Sequence, residues 1–142
     1  MKFHHVGYAV AHIDRYLKDF LLPLFAPARV SPVYEDPIQR VRVLFAEVSP
    51  GTLIELVEPL DEGSPVTRFL GDARGGLYHL CYEVEDLDAT LTRFRKHRCL
   101  PLAPAAPAVA FGGRRIVFLM TPQRDLIELV EAGGSWPALD PV

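Results

Sequence analysis

The sequence contains few cysteines and no long apolar run, and both absences exclude classes of protein. Cys81 and Cys99 are the only cysteines among 142 residues, and they form neither a disulfide framework nor a CxxC motif. The longest apolar region, residues 20–28, contains two prolines and is far too short to span a membrane. The N-terminus has no apolar stretch of signal-peptide length. We therefore expect two reduced thiols in a cytoplasmic protein with no membrane partner.

The sequence also has no excess of positive charge. The formal net charge is −3 at pH 7, and no run of Lys and Arg creates a basic stripe, which argues against a nucleic-acid partner. The remaining composition, 49% hydrophobic and 23% charged, is that of a soluble globular protein. A chain of this length can bury a substantial core, so we predict one domain over residues 1–142.

The six-residue sequence LIELVE occurs twice, at Leu53–Glu58 and again at Leu126–Glu131. The second copy begins 73 residues after the first. A histidine lies 50 residues before the central glutamate of the first copy, and another lies 49 residues before that of the second. The two pairs are His5 with Glu55 and His79 with Glu128. Agreement of the two spacings within one residue indicates two half-length modules produced by duplication.

Hydrophobic periodicity and turn residues predict the element order β-α-β-β-β in each half. In the first module, about residues 1–60, we predict a strand at 6–10, a helix at 14–25 and strands at 30–34, 40–48 and 52–57. In the second module, about residues 77–132, we predict a strand at 77–84, a helix at 86–97 and strands at 114–120 and 125–131. The proline-rich residues 101–107, between the helix and these last two strands, suit an edge strand or a loop, not a central strand.

A connector at residues 61–76 joins the modules, and a tail at residues 133–142 follows the second one. Ser64 and Pro65 predict a short capped helix over residues 65–70. The tail contains Trp136 and two prolines, and we expect an extended arm that is either disordered or packed on a neighbouring molecule.

The two modules together predict the fold class. Neither βαβββ module can bury a sheet face alone, so the modules must pair side by side. We therefore predict an α+β fold, in which two βαβββ modules form a curved, mixed but mostly antiparallel sheet of eight strands with the helices outside.

The alternation of side chains along a strand places the central glutamate of each repeat among aliphatic residues. Such a carboxylate is costly to bury unless it is paired or bound to a cation. By the same alternation, His5 shares a face with Gly7, and His79 shares one with Cys81, so small residues leave room beside each imidazole. His4 is expected on the opposite face, as a surface or dimer-contact residue.

Two imidazoles and two carboxylates suit one divalent ion such as Zn, Ni, Co, Mn or Fe. We therefore predict a shared metal site whose ligands are His5, Glu55, His79 and Glu128. Four protein ligands on an octahedral ion leave two adjacent positions open, which a small-molecule substrate with two neighbouring oxygens is able to fill. The ion would stabilise an enolate formed by proton abstraction next to a carbonyl. The ligand pattern names neither the metal nor the substrate.

A second candidate binding segment is the glycine turn followed by two guanidinium groups at residues 112–115. Arg114 and Arg115 are able to bind a phosphate or carboxylate of a ligand or cofactor. The same segment also suits a plain hairpin turn, so both interpretations stay open.

The chain resembles the vicinal oxygen chelate superfamily, which includes glyoxalase I, extradiol dioxygenases, bleomycin-resistance proteins and methylmalonyl-CoA epimerases. The likeness to the epimerase branch covers nearly the whole chain. A first strand that typically reads DHVGIAV in that branch is HHVGYAV at residues 4–10 here. Segments like IELLEPL, SPI followed by FL, GG-x-HH, G-x-R-I-x-F and VLIEL correspond to residues 54–60, 64–70, 75–79, 113–118 and 126–129.

The resemblance implies that the two histidines and two glutamates bind the metal in a metal-dependent epimerase or isomerase. Its substrate would be a 2-substituted acyl-CoA such as methylmalonyl-CoA, and Glu128 would serve as both ligand and base. The second catalytic carboxylate of some epimerases falls near residues 41–43, which are apolar here, so Glu47 is the nearest acid on that strand. The resemblance also implies a homodimer.

Two alternatives use the same scaffold. The first is another metal-dependent enzyme, a lyase or a dioxygenase, although a fourth ligand at Glu55 leaves fewer open positions than a dioxygenase uses. The second is a non-catalytic protein that sequesters a drug or natural product, and such relatives usually lack the metal ligands.

Overall fold

The first module places a helical segment and three long strands in the predicted order. The computed structural model describes residues 1–73 and 75–142. The elements of this half are β1 Lys2–Ala9, α1 Ile13–Tyr16, a π-helical turn Leu17–Leu21, α2 Leu22–Phe25, β2 Arg29–Val30, β3 Tyr34–Asp36, β4 Val41–Ser49 and β5 Thr52–Pro59. The predicted helix at 14–25 is thus one helical segment with a π-turn in its middle.

The second module repeats this order after a helical connector. The elements are α3 Pro65–Ala73, β6 Gly76–Val84, α4 Leu87–Lys96, β7 Leu100–Pro101, β8 Ala106–Pro107, a 3-10 turn Val109–Phe111, β9 Arg115–Met120, β10 Leu126–Glu131 and β11 Asp140–Pro141. Arg74, in the predicted connector, lies outside the described residues.

The strands form one mixed sheet in which the two modules meet at β1 and β6. Hydrogen-bonded neighbours follow the order β11-β2-β4-β5-β1-β6-β10-β9-β7, with β3 on β4 and β8 on β9. β1 is parallel to β5 and β6 is parallel to β10, whereas β1 and β6 are antiparallel. The remaining described ladders are antiparallel. This confirms the predicted α+β fold with a mixed, mostly antiparallel sheet of paired βαβββ modules.

The strand count differs from the predicted eight because prolines divide two predicted strands. Residues 30–34 contribute to β2 and β3 on either side of Pro32, and residues 101–107 contribute to β7 and β8 on either side of Pro104. Proline has no N–H for a sheet ladder. With β11, the described residues form six long strands and five short ones, and the short strands lie beyond the outer long strands β4 and β9.

The helices begin where side chains satisfy free backbone N–H groups. Asp86 caps α4 by accepting a hydrogen bond from the Ala89 N–H at 2.8 Å. Ser64 accepts a backbone N–H at 3.3 Å at the start of α3, as predicted. At α1 the carboxylate of Glu58, which belongs to β5, accepts the Ile13 N–H at 2.8 Å. Within the two described ranges, no helix combines the length and apolar character needed to cross a membrane.

Two helices, α1 and α4, cover one face of the sheet, whereas an apolar cluster that includes Val66 of α3 lies on the other. Residues packed around α1 include Val10, Ile13, Leu21, Leu44, Ala46 and Leu56. Residues packed around α4 include Val84, Leu87, Leu91, Val117, Leu119 and Leu129. The opposite face carries Ala9, Val43, Phe45, Val57, Cys81 and Ile116. The candidate site lies on this second face.

The tail folds back on its own chain. β11 pairs with β2 in an antiparallel ladder, and the Val142 N–H donates to the Ala28 carbonyl at 3.2 Å. Leu139 packs against the apolar cluster on the second face. The extended arm is thus ordered on its own chain and not disordered, because the free edge of β2 provides backbone partners, while contact of the tail with a neighbouring molecule stays a prediction.

Candidate metal centre

The two histidines and two glutamates predicted as ligands lie on four adjacent strands at the centre of the sheet. These residues, called the ligand cluster below, are His5 on β1, Glu55 on β5, His79 on β6 and Glu128 on β10. In the sheet ladders, Gly7 pairs with both Glu55 and His79. Cys81 pairs with both His5 and Glu128. The cluster therefore has an approximate twofold arrangement, as expected for duplicated modules.

The ligating atoms of the cluster converge on one point. His5 Nε2 lies 3.2 Å from Oε2 of Glu55 and 3.2 Å from Oε2 of Glu128. His79 Nε2 lies 3.1 Å from each of these oxygens, and the two Nε2 atoms are 3.0 Å apart. All four residues are at most 5% exposed. The sequence-predicted ligands therefore do meet in space, in the interior of the protein.

A cation explains these contacts better than hydrogen bonds alone. Glu128 Oε2 is buried and has no hydrogen-bond partner among the described residues, although two imidazole nitrogens lie within 3.2 Å. A buried carboxylate oxygen without a partner is costly. Two imidazole nitrogens and two carboxylate oxygens are donors that bind borderline divalent ions. The cluster is therefore a candidate site for a divalent metal ion.

Without a cation, the two carboxylates keep the imidazoles charged. Burial lowers the pKa of His79, but the adjacent carboxylates of Glu128 and Glu55 outweigh it and raise the pKa to about 9. The same balance raises the pKa of His5. Burial acts to raise the pKa of both glutamates, but the imidazoles lower it overall. Metal binding would therefore displace protons from the imidazoles.

Gly7 creates the space that the His79 ring occupies. A Cβ at Gly7 would overlap three atoms of that ring. Gly7 is therefore required for space, as expected where another group approaches the backbone of a strand closely. Cys81, the other small residue of the cluster face, is buried, and burial raises the pKa of its thiol, so it is a packed, protonated side chain.

Two β-bulges change which side chains surround the histidines. In the β1–β6 ladder, pairing skips His4, just before His5, and Tyr78, just before His79. A bulge leaves one residue unpaired and re-aims its side chain. Strict alternation predicted His4 on the opposite face, and this was wrong: its Nδ1 lies 2.8 Å from Nδ1 of His5. Burial, followed by the charge of His5, lowers the pKa of His4.

A cavity of about 290 Å³ reaches the ligand cluster between the two modules. Its apolar walls include Val43, Val57, Ala108, Phe111, Ile116 and Phe118. Ile38 and Arg40 also line it and are exposed, so they mark its mouth. The cavity therefore leads from solvent, past an apolar wall, to three members of the cluster.

Tyr78 lines this cavity beside the cluster. Its ring centroid lies 5.4 Å from that of His79. Burial, then the charges of Glu55 and Glu128, raise the pKa of Tyr78 to about 12, so its hydroxyl stays protonated at neutral pH. Sequence reasoning missed this residue because strict alternation directs it away from His79. Its one sequence signal is that the GG-x-HH run has Tyr78 in place of the first histidine.

The structure does not bring Glu47 to the ligand cluster. Its carboxylate accepts hydrogen bonds from Arg29 Nε at 2.7 Å and from the Gly51 N–H at 3.0 Å. These two donors, Arg29 first, lower the pKa of Glu47 to about 2. Glu47 is not among the described residues that line the cavity. Its carboxylate is therefore engaged at the β4–β5 turn.

Arg114 and Arg115 bind groups of the protein itself. Arg114 donates to the carbonyls of Phe111 and Glu131 at 3.1 and 3.0 Å. Arg115 donates to the carboxylates of Glu131 and Asp88, at 2.6 and 3.2 Å. Neither arginine is among the described residues that line the cavity. These contacts favour the hairpin-turn interpretation of the segment.

Known proteins resemble this chain in both sequence and fold. A model of the glyoxalase/bleomycin resistance protein/dioxygenase superfamily matches residues 4–118. An ethylmalonyl-CoA/methylmalonyl-CoA epimerase of Cereibacter sphaeroides is 34% identical over 119 residues, which are 83% of this chain and 87% of the relative.

Two solved structures extend the likeness to the fold. The crystal structure of methylmalonyl-CoA epimerase from Mycobacterium tuberculosis has a TM-score of 0.79 and 29% identity, covering 94% of this chain and 89% of that one. A variant of the Streptomyces coelicolor methylmalonyl-CoA epimerase, in complex with 2-nitronate-propionyl-CoA, has a TM-score of 0.77 and 25% identity, covering 94% and 99%. The paired modules of this chain are therefore found in enzymes that isomerise acyl-CoA compounds.

Proposed function

Because the chain belongs to the glyoxalase/bleomycin resistance protein/dioxygenase superfamily, we propose that it is a metal-dependent epimerase of 2-substituted acyl-CoA thioesters such as methylmalonyl-CoA. The observation that carries the proposal is the buried His/Glu/His/Glu cluster reached by an apolar cavity. The names of the relatives support the reaction class and the thioester.

The ligand cluster would hold one divalent ion, such as Co, Ni, Zn, Mn or Fe, which supplies Lewis-acid polarisation of a substrate carbonyl. Glu128 is the base in this proposal. Its carboxylate is ionised at neutral pH because the imidazoles outweigh burial and lower its pKa. It would accept the proton from the carbon next to the carbonyl and release it to solvent. A solvent proton that reaches the opposite face through the cavity would then add to the same carbon, so the carbon is inverted with no net change in atoms or charge.

The cavity suits the acyl end of such a substrate. A volume of about 290 Å³ is near the lower end for small-molecule sites, so a short acyl group fits while the nucleotide part of coenzyme A lies outside the mouth. The apolar walls receive the alkyl substituent. The protonated hydroxyl of Tyr78 supplies a hydrogen-bond donor to a substrate oxygen.

The presence of Glu55 as a fourth candidate ligand argues against dioxygenase activity. Glu55 Oε2 lies within 3.2 Å of both imidazoles, so the cluster has one carboxylate more than the two-His, one-carboxylate set of iron oxygenases. We therefore expect no oxygen uptake with catechol-like substrates. A drug-sequestering protein would differ in another way, since it would bind its ligand equally well after Glu55→Ala.

Solvent deuterium exchange tests the reaction. Metal-loaded protein is incubated with methylmalonyl-CoA in D2O, and incorporation at the α carbon is followed by mass spectrometry. We expect exchange with the wild-type protein and its loss in Glu128→Gln.

Glu131→Gln is the matched control, because it changes a glutamate of the same strand that binds Arg115 instead of the cluster. It should exchange deuterium as the wild type does. Absence of exchange by stoichiometrically loaded wild-type protein, with this and related 2-substituted thioesters, would refute the epimerase assignment.

A further inference from the structure

His4 connects the ligand cluster to the tail. The bulge in β1 brings its ring against His5, and the two Nδ1 atoms are 2.8 Å apart. On its other side, His4 Nε2 lies 3.1 Å from the main-chain carbonyl oxygen of Trp136. A continuous hydrogen-bonded path therefore runs from the tail, through one imidazole, to a second imidazole that faces the proposed metal.

The chemistry of the three groups decides where the protons lie. A carbonyl oxygen can only accept, so His4 Nε2 carries the proton that it donates to Trp136. In neutral His4 the other nitrogen, Nδ1, is then an acceptor, and its partner His5 Nδ1 must be the donor. A proton on Nδ1 leaves Nε2 as the one nitrogen of His5 that can bind a cation, and that nitrogen faces the cluster.

The carbonyl at the end of this path is held in place by the tail. The Trp136 indole lies over Gly112, where an added Cβ would come within 2.8 Å of the ring. Further along, Leu139 packs into the apolar cluster and β11 pairs with β2. The tail is thus anchored on both modules, and the Trp136 carbonyl lies between the two anchors.

The described residues give the second histidine of the cluster, His79, no such support. His79 Nδ1 is buried and has no hydrogen-bond partner among the described residues. Metal-binding histidines usually donate their outer N–H to a carboxylate, a carbonyl or water, and loss of such a partner typically weakens metal binding about 10–100-fold. Among the described residues, outer support is therefore found at His5 and not at His79.

We propose that His4 is a positioning residue that holds His5 with its proton on Nδ1, and that the tail sets His4 through the Trp136 carbonyl. This inference rests on the metal site of the proposed function. It assigns the tail a role in metal binding, although no tail residue belongs to the cluster. Metal affinity should therefore respond to changes at His4 and Trp136 even when the ligands are intact.

Metal affinity of the full-length protein tests the path. Metal-free protein is titrated with Co²⁺ alone, and the d–d absorption reports both affinity and coordination. We expect His4→Phe, which keeps a ring against Phe111 but has no acceptor, to weaken Co²⁺ binding about 10–100-fold. His4→Asp restores an acceptor for the His5 N–H, so it should bind within a few-fold of the wild type. His97→Phe, at an exposed histidine, is the matched control and should change nothing.

A double-mutant cycle separates positioning from general destabilisation. Trp136→Ala removes the indole that anchors the carbonyl, and it should weaken Co²⁺ binding in the wild-type background. In the His4→Phe background it should have no further effect on affinity, because the path is already broken. Additive losses would show that the tail acts independently of His4 and would overturn the inference.

The remaining outcomes also decide between the two proposals. Equal Co²⁺ affinity of the wild type and a folded His4→Phe, or equal weakness of His4→Asp and His4→Phe, would refute the positioning role while leaving the epimerase proposal intact. Tight Co²⁺ binding without deuterium exchange would refute the epimerase alone. Failure of the wild type to bind Co²⁺ would refute the metal site and, with it, this inference.

Discussion

His5 and His79 occupy equivalent places in the two modules, but their outer nitrogens have different surroundings. His5 Nδ1 meets the ring of His4 at 2.8 Å, whereas His79 Nδ1 is buried without a partner among the described residues. Each histidine follows a bulged residue, which is His4 in the first module and Tyr78 in the second. The two bulges thus have different results: His4 is directed towards the outer nitrogen of His5, and Tyr78 is directed into the cavity.

This difference shows what duplication has kept and what it has not. Both modules keep the ligand pair and the strand register that brings it to the centre of the sheet. The position before each histidine has diverged, so one module places an imidazole behind His5 and the other places the Tyr78 hydroxyl beside the cavity. The approximately symmetric ligand cluster therefore has different chemical surroundings on its two sides.

Removal of either ligating histidine should have the largest effect and should be equal for the two modules. His5→Ala and His79→Ala each leave two buried carboxylates with one imidazole, and an uncompensated buried charge costs about 3–5 kcal/mol. We expect both variants to lose stoichiometric metal and to show a lower free energy of unfolding when metal-free.

Metal content after dialysis and urea unfolding measure the two effects of these substitutions. His97→Ala, at an exposed histidine, is the control and should leave both unchanged. Retention of one equivalent of metal by either ligand variant would contradict the symmetric four-residue site.

Gly7→Ala should have the next largest effect, because a glycine of one module makes room for the histidine of the other. The added methyl group would overlap the His79 ring, and overpacking of this kind costs about 1–3 kcal/mol. We expect a lower free energy of unfolding and weaker metal binding. Gly71→Ala is the matched control, since it lies in α3 with open space around the new methyl group and should stabilise the helix by about 0.5–1 kcal/mol.

The duplicated ligand set was the part of the molecule most accessible from sequence. Strand alternation and the two equal spacings predicted the inward carboxylates at Glu55 and Glu128, and the structure brings them together with both histidines. Alternation failed at His4 and Tyr78, since a bulge is decided by the register between β1 and β6. Local sequence patterns carry no information on that register.

The tail shows a second limit of sequence reasoning. Its prolines and single tryptophan predicted an extended arm, and it is extended, but its partner is the edge of β2 in the same chain. Long-range pairing of this kind depends on the assembled sheet.

The last glutamates of the two LIELVE copies offer a smaller test of divergence. Glu58 accepts the Ile13 N–H at the start of α1 and has a longer ion pair with Arg42 at 3.4 Å, whereas Glu131 pairs with the half-exposed guanidinium of Arg115 at 2.6 Å. Glu58→Ala should cost about 1 kcal/mol, as loss of a helix cap does. Glu131→Ala should cost about 0.2–1 kcal/mol and should depend more strongly on salt. Chemical unfolding at low and high NaCl measures both, and an equal salt dependence would contradict the assigned roles.

Glu47→Gln should give the smallest effect, and its pH dependence distinguishes an ion-paired residue from a catalytic one. Hydrogen bonds from Arg29 and Gly51 lower the pKa of Glu47 to about 2, from an ordinary value of 4.5. A carboxyl with a lowered folded-state pKa stabilises the fold above its unfolded pKa, and this contribution is lost as the pH falls through the folded value. The difference in unfolding free energy between wild type and variant should therefore be present at pH 7 and shrink between about pH 4.5 and 2.

Deuterium exchange at pH 7 should persist in the Glu47→Gln variant, because the Glu47 carboxylate is bound at the β4–β5 turn. Loss of exchange with unchanged unfolding would instead assign Glu47 to proton transfer and would make the first module, like the second, a supplier of catalytic groups.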